Sequence, residues 1–190
     1  TGFIGRHIVR ELLAQDLPVR CLIPENRARR LPWDTENAER VPDIVLGNIL
    51  DDEAMYQAVT GVDTIIHLES AQWWGNERNL ERIELAGTRN LVSVARSARV
   101  GRIITLSHLG ASISSAYTLH RIKGQVEEII RNSGLAYTII RSGIVFGEDD
   151  AFINNLAMSL ALNPVLNLMP GQGEIALHPI YIDDIVQCLT

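Results

Sequence analysis

Between Val19 and Arg141 the chain alternates short apolar runs with segments of helical periodicity, an order that few folds accept. The runs are Val19–Ile23, closed by Pro24, Asp43–Leu46, closed by Gly47, and then Val62–Leu68, Arg102–Leu106 and Ala136–Arg141. They are rich in β-branched and aliphatic residues, and Val62–Leu68 is apolar almost throughout, as suits a strand covered on both faces. Between them, Asp51, Asp52 and Glu53 open a helix, where acids suit the positive end of the dipole, and Met55, Ala58 and Val59 form its apolar side. A long helix is predicted from about Glu77 to Ala98, with Leu80, Ile83, Gly87, Leu91, Val94 and Ala98 on one side. Another, from about His120 to Asn132, turns Ile122, Val126, Ile129 and Ile130 inward and stops at Gly134. Alternating strands and helices predict an α/β fold, a doubly wound parallel sheet with right-handed crossovers and helices on both faces. Ligands of such sheets sit at the carboxyl ends of the strands. The loops after Ile23, Leu46, Leu68, Leu106 and Arg141 are therefore the ones to read for function.

A helix precedes the first of these runs. In Thr1-Gly-Phe-Ile-Gly5-Arg-His-Ile-Val-Arg10-Glu-Leu-Leu, residues Ile4, Ile8, Val9, Leu12 and Leu13 form one helical face. Gly2 and Gly5 stand at its mouth, with Phe3 and Ile4 between them. A helix start offers unpaired N–H groups and a positive dipole end, on which a pyrophosphate can rest. Gly2 would let the backbone approach the phosphates, and Gly5 would let the helix pack close to the sheet. The stretch is the end of a dinucleotide-binding fingerprint, whose earlier glycine and preceding strand are expected before Thr1. The sequence accordingly reads as an internal fragment without the first strand.

At 190 residues the chain is long enough for a domain with a sizeable core. Its net charge of −6 argues against a nucleic-acid binder, which carries a basic face, and 5% aromatic residues leave little for stacking on bases. Cys21 and Cys188 match no metal spacing, so no metal is expected and a reduced, cytoplasmic setting is the default. The most apolar run, Phe152 to Met169, is interrupted by Asn154, Asn155, Asn163, Pro164 and Asn167. That predicts at most a peripheral membrane contact. After Gly147 the alternation is lost. Residues 1–147 are read as the cofactor-binding domain and 148–190 as the start of a small region that covers the substrate. Asp183 and Asp184 are expected to cap a last helix.

Several loop residues have the chemistry of a dinucleotide site. Glu25, twenty residues beyond Gly5, would accept hydrogen bonds from the adenosine ribose of NAD, whereas Arg27, with Arg29 and Arg30, would take the 2′-phosphate of NADP. The two signals oppose each other and leave the choice of NAD or NADP open. Asn48 would bond the adenine edge and Ile49 pack on its face, unless Gly47-Asn-Ile49 is a simple strand-to-helix turn. Leu68, Glu69 and Ser70 would lie under the ribose and pyrophosphate, although an acid at 69 would face a phosphate-rich ligand. His67 is expected to be a packed strand histidine. Trp73 and Trp74 would wall the substrate pocket or belong to a surface loop.

A series of motifs in family order covers nearly the whole chain. It runs Thr1-Gly-Phe-Ile-Gly5, Gly47-Asn-Ile-Leu-Asp51, Gly61-Val-Asp-Thr-Ile-Ile-His-Leu68, Gly87-Thr-Arg-Asn-Leu91 and Ile104-Thr-Leu-Ser107. It continues with Lys123-Gly-Gln-Val-Glu127, Tyr137-Thr-Ile-Ile-Arg-Ser-Gly-Ile-Val-Phe-Gly147 and His178-Pro-Ile-Tyr-Ile-Asp-Asp-Ile185. In these the sequence resembles the short-chain dehydrogenase/reductase superfamily, on its atypical or extended, NAD-dependent epimerase/dehydratase side. It is similar in flavour to NmrA-like proteins and to the NAD(P)-binding accessory subunit of respiratory complex I. The resemblance implies a Rossmann fold and bound NAD or NADP. It also implies a Tyr-x-x-x-Lys pair on the helix after the fifth strand of that fold, the lysine lowering the tyrosine pKa for proton exchange with a substrate. Lys123 matches the lysine and Ser107 the serine region, but Leu119 stands where the tyrosine is expected. Tyr117 is six residues before Lys123, on nearly the opposite helical face, while His120 is three before it and roughly on its face. Lys123, Ser107 and His120 are thus the candidate catalytic residues. Lys123 has two further readings, binding the cofactor ribose or pairing with Glu127 one turn on. The loop Arg141-Ser142-Gly143-Ile144-Val145 resembles the one that covers the nicotinamide, so Ser142, Gly143 and Ile144, with Ser107, join the cofactor set. Two functions follow from the resemblance. One is an NAD(P)H-dependent oxidoreductase without the tyrosine, acting on a small molecule such as a quinone or carbonyl compound, with a homodimer left open. The other is a non-catalytic binding module, either a redox-sensing regulator or a subunit of a respiratory complex.

Overall fold

A computed structural model describes residues 2–30, 40–70, 77–162 and 177–190. Ala71, Trp73 and Trp74 lie outside the described residues. In chain order the elements are α1 (Phe3–Ala14), β1 (Arg20–Ile23), a 3₁₀ turn (Glu25–Arg30), β2 (Asp43–Leu46), α2 (Asp52–Val59) and β3 (Thr64–His67). A composite helix follows, made of α3 (Glu77–Leu80), a π segment (Glu81–Ala86) and α4 (Gly87–Ser97). Then come β4 (Arg102–His108), α5 (Thr118–Arg131), β5 (Ala136–Ser142), β6 (Val145–Phe146), α6 (Phe152–Leu162), β7 (Ile180–Tyr181) and α7 (Ile182–Leu189).

Among the described residues all strand pairs are parallel. β1 lies beside β2, β4 lies between β3 and β5, and β6 pairs with β7. Successive residues of a strand point to opposite faces, and both faces are covered. Ile65 and Ile103 belong to a core with Met55 and Val59 of α2 and Leu91, Val92 and Ala95 of α4. Ile66, Ile104, Leu106 and Ile140 belong to another with Ile8 of α1 and Ile182, Ile185, Val186 and Leu189 of α7. Ile103, Ile130 and Ala95 have no exposed surface. Each isoleucine buried in this way contributes roughly 1.5–3 kcal/mol.

Local chemistry sets the element ends. Asp51 caps α2, its carboxylate accepting from the Ala54 amide at 3.1 Å. Gly47 has φ +154°, and a Cβ there would collide with Ala54, so the turn from β2 into α2 requires glycine. Asp183 and Asp184 do not cap α7. The N-cap is Tyr181, without a side-chain cap bond, and the two acids lie in the first turn, where the dipole favours them. In the predicted long helix, the Gly87 amide donates to the Arg82 carbonyl five residues back, which makes the middle turn a π-turn.

Candidate functional site

The site lies at the carboxyl ends of β3, β4 and β5, beneath the start of α1. Gly2 is the N-cap of α1, with no side-chain cap bond and no acid in the first turn. The amides of Phe3, Ile4 and Gly5 therefore have no intrahelical partner. A Cβ built on Gly2 would meet nothing within 4 Å, and one on Gly5 only Leu68 Cδ1 at 3.9 Å. The helix mouth is an open cradle over Leu68, of the form that a pyrophosphate fills. At the end of β1, Glu25 and Arg27 share the exposed 3₁₀ turn. The Arg27 charge acts on Glu69 beyond β3, so both loops border the same space. Asn48 is exposed, with Oδ1 committed to the Leu50 amide at 2.9 Å. Ile49 departs from the sequence expectation. It is only 6% exposed, it packs in the α2–α4 core, and it leaves no room for a Cβ on Gly87, so its apolar contact is internal.

Lys123 comes from the second turn of α5 and is 4% exposed. Its ammonium donates to Glu84 Oε2 at 2.8 Å and Ser70 Oγ at 3.3 Å, and Ser70 donates to Glu84 Oε1 at 2.6 Å. Glu84, 1% exposed, comes from the π segment. The alternative reading of Lys123, a pairing with Glu127 one turn on, is not what forms: its partner is Glu84. Burying two charges costs several kcal/mol per ion, which only close geometry and further hydrogen bonds offset. His67 lies behind the pair, its Nε2 3.3 Å from Thr88 Oγ1. Burial, then the Lys123 charge, pull its pKa down to about 4 against a smaller opposing effect of Glu84, so it is a neutral packed histidine.

Glu127 serves a different network. It has no exposed surface and accepts from Ser107 Oγ at 2.7 Å, from Arg141 at 2.8 and 2.6 Å and from Arg131 at 2.8 Å. Ser107 thus points to the α5 face and ties β4 to α5. His120 packs edge-on to Tyr117, with ring centroids 5.9 Å apart, and its Nδ1 would lie 3.3 Å from a Cβ on Gly110. Tyr117 itself is the N-cap of α5 and 75% exposed, and Leu119 is half-buried one turn before Lys123. Ser142 is buried at the end of β5. A Cβ on Gly143 would collide with the His178 carbonyl, and the Ile144 carbonyl accepts from the Ile180 amide at 2.9 Å. The 143–144 loop is thereby clamped under the 178–180 segment.

Two residues of the cluster escaped the sequence reading. Glu84 interrupts the buried helical row Leu80, Thr88, Leu91 and Ala95, and a carboxylate in an apolar stripe was the signal for it. His108 lies two residues past the predicted end of β4. It is half-buried, and its pKa is lowered by burial first and then by Lys123 and His120, with Glu84 opposing.

A family profile described as NAD(P)H-binding matches residues 1–156. Among curated proteins, the chain is 29% identical over 143 residues to the photosystem II assembly factor Ycf39 of Cyanophora paradoxa, a match covering 74% of this chain and 42% of that protein. It is 28% identical over 196 residues to the rat mitochondrial NADH dehydrogenase [ubiquinone] 1 alpha subcomplex subunit 9, covering 97% of this chain and 49% of that protein. The chain thus spans about half the length of these relatives. Among solved structures, Pen from Bacillus thuringiensis superposes with a TM-score of 0.83 at 16% identity, covering 99% of this chain and 60% of that one. UDP-glucose 4-epimerase from Thermotoga maritima superposes with a TM-score of 0.77 at 20% identity, covering 99% and 69%. At such identities the likeness establishes the fold, which is Rossmann-like.

Proposed function

The chain belongs to the NAD(P)H-binding family, and on that premise we propose that it is an NAD(P)-dependent oxidoreductase of the atypical short-chain dehydrogenase type, without the usual tyrosine. The observation that carries this reading is Lys123. It is buried at the carboxyl edge of the sheet, and two of its three N–H groups are used among the described residues, on Glu84 and Ser70. The third would donate to a ribose hydroxyl.

In this reading residues 1–147 hold the cofactor and 148–190 help to cover a small substrate. The amides of Phe3, Ile4 and Gly5 would bind the pyrophosphate. Glu25 or Arg27 would meet the adenosine ribose, and Ser142, Gly143 and Ile144 would bound the nicotinamide. Bound there, the nicotinamide supplies or accepts a hydride. The protein's part is to place it beside the substrate and to exclude water. A carbonyl compound or a quinone is the expected substrate class, and the reducing cytoplasm the expected setting. NAD(P)H oxidation by the full chain against a panel of quinones and ketones tests the reading, alongside calorimetry of NAD and NADP binding. Binding of either nucleotide with turnover of at least one acceptor is expected.

A second reading, a non-catalytic holder of a structural or sensing cofactor, is supported by Leu119 and by the neutralisation of Lys123 through Glu84. Tight nucleotide binding with no turnover of any acceptor would select it.

A further inference from the structure

In β4 and β5, Leu106 is level with Ile140 and His108 with Ser142. In β3 and β4, His67 is level with Thr105, the last pair of that ladder, and Leu68, Glu69 and Ser70 follow directly in the chain. The row Leu68, Leu106 and Ile140 packs in one core with Phe3 and Ile4 of α1. His108 follows Leu106 by two residues and so stands one step beyond this row on the same face. That position is beside Ser142, where the 143–144 loop begins, and within reach of the charges of the Lys123–Glu84 pair. The charged and titratable groups that act on the imidazole are Lys123 and His120 from α5 and Glu84 from the π segment. No hydrogen bond ties the His108 ring among the described residues, whereas Ser107 is spent on Glu127.

We propose that His108 is the catalytic residue that exchanges the proton with the substrate oxygen, in place of the absent phenol, and that the substrate is accordingly a carbonyl compound or its alcohol. The assignment rests on the oxidoreductase reading above. In reduction, a bound nicotinamide would supply the hydride to the carbonyl carbon, and the His108 imidazolium would give its proton to the carbonyl oxygen. An alcohol, an oxidised nucleotide and a neutral imidazole result. Oxidation of a secondary alcohol runs in reverse, neutral His108 taking the hydroxyl proton as the hydride leaves for the oxidised nucleotide. Burial first, and then the Lys123 charge, lower the His108 pKa from the ordinary histidine value, which favours its neutral form. Alcohol oxidation should therefore be at its plateau at neutral pH and fall in acid, while ketone reduction rises in acid.

The test compares wild type, His108→Gln and His108→Asn as full chains, with NADH and NADPH against ketones, and NAD and NADP against secondary alcohols, across pH 5 to 9. Both variants should keep nucleotide affinity, lose ~10²–10⁴-fold in turnover and lose the acid-side inflection. As a readout independent of turnover, the ring-proton NMR signals of His108 should titrate below the ordinary histidine range and shift when oxidised nucleotide binds. Variants with wild-type turnover and an unchanged pH profile would overturn the proposal. So would a His108 resonance that ignores the nucleotide. Wild-type protein that binds nucleotide yet turns over nothing would overturn the oxidoreductase reading, and this assignment with it.

Discussion

Replacing Glu127 by glutamine removes one charge from a fully enclosed site and changes little in shape. Burial alone would push the Glu127 carboxyl up, but the bonds from Arg141, Ser107 and Arg131 overcome this and hold it at about 2, against an ordinary 4.5. At 1.36 kcal/mol per pH unit the native fold favours the ionised form by about 3 kcal/mol. The two arginine side chains are 43–44% exposed and solvent screens them, which lowers the expected contribution to ~2–3 kcal/mol. The sign follows from the direction of the shift. A carboxyl with a depressed folded pKa contributes stability that is fully present above its unfolded value and lost as pH falls towards 2. Glutamine has no such titration, and its amide would face arginine donors. Urea unfolding of wild type and Glu127→Gln from pH 7 to pH 2.5 should therefore show a gap of ~2–3 kcal/mol at neutral pH that closes below about pH 5. In melting temperature this is ~4–12 °C for a chain of this size. A gap of constant width, or none at pH 7, would refute the account of Glu127 as an ionised tie between β4, α5 and β5.

Glu84→Ala leaves the buried Lys123 ammonium without its counter-ion and should cost ~3–5 kcal/mol in urea unfolding, whereas Glu84→Leu with Lys123→Met should recover most of it. Equal losses in the single and double variants would count against a coupled pair. Gly5→Ile should leave the fold intact, since among the described residues a Cβ there meets Leu68 Cδ1 at an ordinary 3.9 Å, but should fill the helix mouth and abolish NAD and NADP binding by calorimetry. Leu119→Tyr places a phenol one turn from Lys123 on the same helical face. Introduced into the His108→Gln variant, it should raise ketone reduction by up to ~10²–10⁴-fold while quinone reduction barely changes, an outcome read from NAD(P)H oxidation with one substrate of each kind.

The strands and helices were legible because hydrophobic periodicity is a local property. Ile103 and Ile104 on opposite faces of β4, or Ile122, Val126 and Ile130 on one side of α5, announce their burial by spacing alone. The glycine-rich start of α1 was legible for the same reason. Side-chain partners across the sheet were not. Lys123 reads as a helix neighbour of Glu127, four residues on, yet the pairing found is with Glu84, thirty-nine residues away in sequence. Glu127 is drawn instead to Arg141, which no local rule connects to it. Ser107 and His108 show how narrow the margin is at a strand end. One residue of offset decides whether a side chain meets α5 or the cofactor face, and the predicted end of β4 at Leu106 fell two residues short of the one that matters.

The π segment has a consequence for how the chain tolerates length change. Upstream, Leu80 is buried and Glu77 meets Arg121 at 2.9 Å, which fixes one rotational phase of the composite helix. Downstream, Leu91 and Ala95 fix another. The wide turn between them absorbs the mismatch and turns Glu84 towards Lys123. A π-turn spends one more residue per hydrogen-bonded turn than an α-turn, so deleting one residue from 81–86 would let an ordinary helix run through with both flanks near their present phases. What would change is the segment itself, and with it the direction in which Glu84 leaves the helix. One extra residue in the middle of a helix thus sets the counter-ion of a buried lysine, while the flanking turns would tolerate its loss.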